Sequence, residues 1–292
     1  MANADKGSPT GAVMVVGGGI AAIQASLDLA DSGYYVYLVE KTSAIGGVMA
    51  QLDKTFPTND CSMCILSPKL VEAGRHPNIE LITLAELQEV TGEMGNFTAK
   101  LLQKARYVDL GKCIACGACA SKCPKKVADE FNRGLNTRKA AHVKYPQAVP
   151  LKYAIDKENC LYFKKGKCRA CEKFCPANAV DFSQVDIERQ LKVGAVVVAA
   201  GFRPFNPSEF VQYAYAAYPN VVTALEFERI LSASGPWMGH LVRPGDEKEP
   251  KKIAWLQCVG SRDIHNCDHG YCSAVCCMYA IKEAVIAKEH SH

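Results

Sequence analysis

At 292 residues with 49% apolar side chains, the chain has material for about two packed domains. No apolar run reaches the roughly 18 residues of a membrane span. Fifteen cysteines without a signal peptide argue against a secreted disulfide scaffold, so a reducing cytoplasm with metal-held thiols is expected. Net charge is only +4, yet residues 105–192 hold 18 Lys/Arg against 9 Asp/Glu. No aromatic-basic recognition motif accompanies that surplus, which excludes the usual nucleic-acid signature.

The first predicted elements form a βαβ unit over residues 11–40. Ala12 to Val16 is a short apolar strand, followed by Gly17-Gly18-Gly19-Ile20-Ala21-Ala22 in the G-x-G-x-x-A pattern. Gly17 makes the tight turn, Gly19 admits a pyrophosphate to the backbone, and Ala22 lets helix approach strand. The helix N-terminus then offers free N–H groups and its positive dipole end to that phosphate. Tyr35 to Val39 is the second strand, with Glu40 at its end suited to ribose hydroxyls and Lys41 beside it. Strand, turn, helix, strand and acid in this order predict a dinucleotide site. Ile45-Gly46-Gly47 follows closely, resembling the second glycine pair of two-dinucleotide flavoproteins and favouring FAD over NAD.

Cys61 and Cys64 come next, before Pro68-Lys69. Two readings stand: packing cysteines, which is the preferred one, or a dithiol facing the flavin for two-electron chemistry. Residues 78–105 predict strands and turns, including a hairpin at Gly92 to Asn96.

Two cysteine runs follow. Cys113, Cys116, Cys119 and Cys123-Pro124 have the C-x2-C-x2-C-x3-C-P spacing of a bacterial ferredoxin. Cys160, Cys168, Cys171 and Cys175-Pro176 keep its second half but open with C-x7-C. In such loops three cysteines hold one 4Fe–4S cluster and the fourth reaches across to another. Cys113, Cys116, Cys119 and Cys175 are therefore expected on one cluster, and Cys160, Cys168, Cys171 and Cys123 on the other. A pair of zinc sites is the alternative, since C-x2-C also serves zinc. A basic, Pro-containing linker is expected near residues 145–150. The surrounding lysines offset the charge of anionic clusters, with the rest of the surplus a solvated face.

Val196 to Gly201 predicts a buried strand ending in a small-residue turn, like the strand that closes the FAD domain in the glutathione and thioredoxin reductase superfamily. A helix is expected over 224–232. Ile253 to Gly260 and residues 273–289 predict a further strand and helix, a βα unit without the phosphate-binding glycines. In their place stand Cys258, Cys267, Cys272, Cys276 and Cys277.

Taken together, Gly17-Gly18-Gly19, Asn59-Asp60-Cys61-Ser62-Met63-Cys64, the inserted ferredoxin pattern and C-x13-C-x3-C-C resemble the A subunit of heterodisulfide reductase over nearly the whole chain. The resemblance implies an α/β fold: a Rossmann-like, disulfide-reductase-type FAD domain, an inserted two-cluster ferredoxin domain and a partial second dinucleotide-type domain. The expected boundaries are 1–105, 106–189 and 190–292. It implies FAD at Gly17, Gly19, Ala22, Glu40, Lys41, Gly46, Gly47 and Gly201. A third 4Fe–4S cluster is implied at Cys258, Cys272, Cys276 and Cys277, with Cys267 as an extra candidate. Lys282, on the helix after Cys277, is the expected catalytic cation, placed to stabilise reduced flavin.

The implied role is an electron-transfer component, in the cytoplasm, of a flavin-based electron-bifurcating oxidoreductase. Its implied partners are other heterodisulfide-reductase-like subunits, a hydrogenase or formate dehydrogenase type donor, ferredoxin and a second copy of the chain. Missing later strands make the chain look C-terminally shortened against that family. The alternatives are a non-bifurcating iron–sulfur scaffold and an NAD(P)H-linked flavoprotein like the small subunit of glutamate synthase.

Overall fold

The computed structural model describes residues 9–291. Its contacts divide into two compact units: one of residues 1–49, 66–127 and 138–201, the other of residues 50–65, 128–137 and 202–292. Most of the ferredoxin-like segment thus clusters with the N-terminal residues, residues 128–137 go to the second unit, and the later division falls after Gly201.

The first unit is built on a four-stranded parallel sheet. β1 (Ala12–Val16) pairs with β2 (Tyr35–Glu40) across helix α1 (Ile20–Asp31). Met14 and Val15 in β1 are fully buried, which explains a continuous apolar run rather than alternation. α1 buries Ala22, Ile23, Ser26, Leu27 and Ala30 along one stripe. α2 (Ser62–Arg75) leads to β3 (Ile79–Thr83), in register with β2.

β4 (Ala85–Glu93) and β5 (Asn96–Gln103) form the expected hairpin, and β10 (Ile187–Val193) completes an antiparallel sheet in the order β10-β5-β4. A Cβ on Gly92 would lie 2.3 Å from the carbonyl oxygen of Asn96, so the turn needs glycine there. Met14, Val39, Ile82, Ala99, Leu101 and Val193 join both sheets in one core.

β5 and β10 are neighbours, with Gln103 opposite Ile187. Everything between them enters and leaves at adjacent points, so the insertion costs the host sheet no pairing. It contains α3 (Ala118–Ser121), β6 (Lys126–Ala128), β7 (Thr137–Lys139), β8 (Ala141–His142), β9 (Ala154–Ile155), α4 (Leu161–Lys165) and α5 (Ala170–Lys173). Its core combines Tyr107, Val108, Ile155, Ala179 and Phe182 with the buried Cys113, Cys119, Cys160 and Cys171. The expected linker near 145–150 is not a free linker. Tyr145 and Ala148 are buried, and Val149 pairs with Ile45 of the loop after β2. β11 (Ala195–Val198) then hydrogen-bonds to β1 as the closing strand, giving the parallel order β11-β1-β2-β3.

The second unit holds α6 (Ala224–Leu231) and α7 (Cys276–His290). α6 begins with a reciprocal capping box between Thr223 and Glu226 and buries nearly every residue. Phe227, Ile230, Leu231, Leu241, Ile286 and Ala287 form its core, with Trp255 edge-on to Phe227. The expected strand at 253–260 does not form a ladder; its apolar residues pack as irregular chain. A strand exists only through a partner's backbone groups, and none among the described residues of this unit pairs with it. The expected βα unit is therefore present only as its helix, which begins at Cys276 rather than residue 273.

Candidate cofactor and metal centres

The dinucleotide motif is built by close backbone approach. Gly17 has φ +118°, and a Cβ there would lie 2.2 Å from the Ala199 carbonyl oxygen, so the β1 and β11 ends meet only over glycine. A Cβ on Gly18 would strike Glu40 Oε2 at 2.6 Å, and one on Gly47 would strike Gly19 Cα at 2.7 Å. Gly46 N–H donates to the Gly18 carbonyl oxygen at 2.7 Å. Gly19 is different: nothing lies within 4 Å of its missing Cβ. The open space is at the N-terminus of α1, which has no side-chain cap. Uncapped N–H groups facing an open cradle suit a pyrophosphate.

Glu40 is 8% exposed, and its Oε1 accepts the Thr42 N–H and hydroxyl at 2.8 and 2.7 Å. Lys144, from the inserted segment, donates to Thr42 Oγ1 and to the Ala44 carbonyl oxygen. Burial pushes the Lys144 ammonium down, while Glu40 nearby works in the opposite direction. The Tyr145 hydroxyl donates to the Ile45 carbonyl oxygen. Arg106 donates through Nη2 to Ser43 O at 2.7 Å and to Thr83 Oγ1 at 2.6 Å. The loop carrying Gly46 and Gly47 is thus held from the inserted segment at four residues, counting Val149. Motif reading missed these braces because they join positions up to about a hundred apart.

The two cysteine runs interleave. α3 and α5, the short helices following each loop, pack together. The Cys119 thiol is pushed up to about 12, first by burial and then by Cys113, Cys171 and Cys175. The Cys171 thiol is pushed up to about 11 by burial, then by Cys160, Cys123 and Cys168. Thiols of both runs therefore act on Cys119 and on Cys171. A pocket of about 320 Å³, counting its solvent mouth, is lined by Cys123, Cys160, Cys168 and Cys171 together with Pro124, Ile155 and Phe182. Among the described residues no three His, Cys, Asp or Glu side chains close to the spacing of a single-ion site. Four thiols lining one pocket are a donor set that suits an iron–sulfur cluster. Buried thiols that disfavour each other's ionisation become stable thiolates only beside a cation, which iron supplies.

Several loop residues adopt the left-handed region to achieve this wrapping: Ala115 and Gly117 in the first run, Cys168 (φ +114°) and Arg169 in the second. Cys168 closes the seven-residue departure from ferredoxin spacing, and the backbone is bent most sharply there. Lys152 Nζ donates to the Cys113 carbonyl oxygen, and Lys139 Nζ to the Cys123 carbonyl oxygen at 2.7 Å. Part of the basic surplus is thus turned inward onto cysteine backbone.

The C-terminal cysteines also converge. The chain leaves at Ser261 and returns at Tyr271, closed by Ser261 Oγ to Tyr271 O and by paired bonds between Asp263 and His269. That closure brings Cys258 to Cys272 and to Cys276 and Cys277 at the start of α7. Cys276 is pulled down chiefly by a hydrogen bond from Ser273, and Cys277 is pushed up chiefly by Cys276, with Cys258 and Cys272 contributing. Cys267 lies within the closed loop and turns its Sγ to the Asp263 carbonyl oxygen at 3.4 Å. It stands outside the four-thiol group.

Two expectations are corrected. Lys282 is not a free cation: it is 2% exposed, paired with Glu228, and donates to the Lys54 carbonyl oxygen at 2.9 Å. Cys61 and Cys64 are not packing residues, since both are exposed.

A model of the FAD-dependent oxidoreductase family matches residues 12–63, and a 4Fe–4S binding domain model matches residues 106–128. The chain is 50% identical over 277 residues to the iron–sulfur A subunit of the CoB–CoM heterodisulfide reductase of Methanocaldococcus jannaschii, covering 95% of this chain and 41% of that one. It is 52% identical to the A subunit of the Methanococcus maripaludis H2/formate:CoB-CoM heterodisulfide,ferredoxin reductase, over 95% of this chain and 41% of the relative. Against the A subunit of the Methanothermobacter marburgensis H2:CoB-CoM heterodisulfide,ferredoxin reductase, identity is 46%, covering 98% and 42%. The chain thus spans about two fifths of the length of these curated relatives. Along almost all of its own residues, the chain is therefore similar to part of the heterodisulfide reductase A subunits.

Proposed function

We propose that the chain is the FAD- and 4Fe–4S-carrying electron-transfer part of a heterodisulfide-reductase-like oxidoreductase complex. Gly17, Gly19, Ala22, Glu40, Lys41, Gly46, Gly47 and Gly201 would hold FAD. Cys113, Cys116, Cys119 and Cys175 would hold one cluster; Cys160, Cys168, Cys171 and Cys123 a second; Cys258, Cys272, Cys276 and Cys277 a third. The observation that supports this reading is the pocket that Cys123 of the first run lines together with Cys160, Cys168 and Cys171 of the second.

When bound, FAD supplies a centre for one- and two-electron exchange and the clusters supply single-electron carriers. The chain's own contribution is to hold thiolates, exclude water and fix charge. Lys139 and Lys152, bound to ligand carbonyls, place positive charge beside anionic groups and favour their reduced forms. Arg106, Lys144 and Tyr145 keep the Gly46-Gly47 loop on the glycine turn. Lys282 acts toward flavin charge only as half of its pair with Glu228.

Electron bifurcation is the reaction class we assign, with a hydrogenase or formate dehydrogenase type donor, and with ferredoxin and a disulfide-reducing module as acceptors. Support comes from the name of the M. maripaludis relative, which joins H2 or formate, a heterodisulfide and ferredoxin. The complex would contain further subunits of that kind and two copies of this chain, in the cytoplasm. Among the described residues no helix is long and apolar enough to cross a membrane.

The test is to purify the chain anaerobically with its bound subunits, supply H2 or formate, and follow ferredoxin and disulfide reduction together. Coupled reduction is expected. Ferredoxin reduction that proceeds without the disulfide removes bifurcation, and iron without flavin turns the chain into a scaffold. Direct bleaching of the flavin by NAD(P)H favours the glutamate-synthase-like alternative.

A further inference from the structure

Cys61 and Cys64 form a C-x2-C pair at the first turn of α2, both exposed. Cys61 immediately precedes Ser62, the first helical residue, and its carbonyl oxygen accepts the Ile65 N–H at 3.2 Å. Its Sγ accepts the Cys64 N–H at 3.3 Å. The sulfur therefore stands where a serine or aspartate side chain caps other helices. The Cys61 sulfur is thus held by a backbone hydrogen bond at the exposed N-terminal end of α2.

Cys64 is held in a different state. Its thiol interacts directly with that of Cys61, and this contact is the first cause raising it above an ordinary thiol. Pro68, inside α2, has no N–H to donate to the Cys64 carbonyl four residues earlier, so the first turn lacks a bond that would stiffen it. Phe56 and Ile65 flank the pair as exposed apolar side chains, at 45% and 37% exposure. Neither cysteine belongs to the three thiol groups described above.

We propose that Cys61 and Cys64 are a reversible dithiol–disulfide couple that exchanges with small disulfides from solvent, Cys61 as the attacking sulfur and Cys64 as the resolving one. The Cys61 thiolate bonds to one sulfur of the incoming disulfide, whose S–S bond breaks and releases its other half as a thiolate. Cys64 loses its proton to water and attacks the Cys61 sulfur, forming the internal disulfide and releasing the second half. Two protein thiols are oxidised as one external disulfide is reduced to two thiols. The reverse exchange with a dithiol restores the pair.

Oxidised glutathione is the probe, applied to the anaerobic holoprotein, with alkylation of remaining thiols and mass mapping of the peptide carrying both cysteines. The wild type should form the Cys61–Cys64 disulfide with iron and flavin content unchanged. Cys64→Ser should stop at a single glutathione on Cys61. Cys61→Ser should leave at most a single glutathione on Cys64 and form no internal disulfide. Both sites are exposed, so each variant should keep the wild-type melting curve and cofactor content. Absence of the internal disulfide, first capture of glutathione on Cys64 rather than Cys61 in the wild type, or disulfide formation only in step with iron loss would each overturn the proposal. None of these results bears on whether the remaining cysteines hold clusters, which iron content and spectroscopy report separately.

Discussion

Consecutive glycines in this chain have separable duties. Gly17 and Gly18 are required by protein atoms, since a Cβ on either meets backbone or a packed side chain, whereas a Cβ on Gly19 meets nothing. Gly19→Glu should therefore fold, melt close to the wild type, and bind no flavin, because its carboxylate occupies the place of a pyrophosphate. Normal flavin absorbance in that variant would remove the site. Gly17→Ala should instead lose stability, by about 3 kcal/mol or more, because its obstacle is a carbonyl in the strand ladder. A thermal melt separates the two. The turn at Gly17 was legible in the sequence, whereas the need for glycine at 18, set by Glu40 and Ile45, was not. Lys144, Tyr145 and Arg106 were not, since they reach the loop after β2 through tertiary contact and no local pattern marks them.

Among the elements, α6 and α7 show why a charged helix face need not be a solvated one. Glu228 and Arg229 are fully buried, and Lys282 and Glu283 are each 2% exposed. Lys282→Met should cost about 3–5 kcal/mol by leaving Glu228 buried without its partner, and Glu228→Gln in the same chain should restore much of that. Glu283 is pushed up to about 8 by burial and by Glu228, while Trp255 Nε1 donates to it at 3.0 Å. Its folded pKa lies above its unfolded value of 4.5, so the folded state holds the proton more tightly. The associated stability is present in acid and is lost as pH rises from about 4.5 through about 8. Glu283→Gln should flatten that decline, read as the urea midpoint at about pH 5 and about pH 8. Sequence periodicity located both helices, but not the pairing that makes their charged residues internal. It also predicted a strand at 253–260 from apolar composition alone, where no neighbouring strand is present among the described residues to pair with it. Within the inserted segment, the spacing of the two runs predicts that they exchange their last cysteines. Cys123→Ser should damage the cluster served by Cys160, Cys168 and Cys171. An effect confined to the cluster of Cys113, Cys116 and Cys119 would reverse the assignment.

For the molecule as a whole, the insertion and its host are connected by more than their two crossing points. β5 and β10 carry the chain into and out of the ferredoxin-like segment as adjacent strands, and the same segment returns at 144–149 to hold the loop beside the glycine turn. Domain order was legible because each motif is local. The return contact was not, because it follows from folding of the whole unit. Three thiol groups then give the chain a stoichiometry to measure. About twelve irons per chain are expected if each group holds one 4Fe–4S cluster, and about eight if only the ferredoxin-like pair does. The C-terminal group is the one in question, because none of its four cysteines is buried, whereas the ferredoxin-like runs bury Cys113, Cys119, Cys160 and Cys171. Cys276→Ser and Cys277→Ser should each lower iron by about four while leaving the signals of the other two clusters in place. Because both side chains begin α7, their replacement should leave the buried 282–287 face and the melting curve nearly unchanged. Iron near eight in the wild type, unaltered by either substitution, would instead make these four cysteines free thiols gathered by the 261–271 loop closure, and the flavin's electrons would have two cluster routes rather than three.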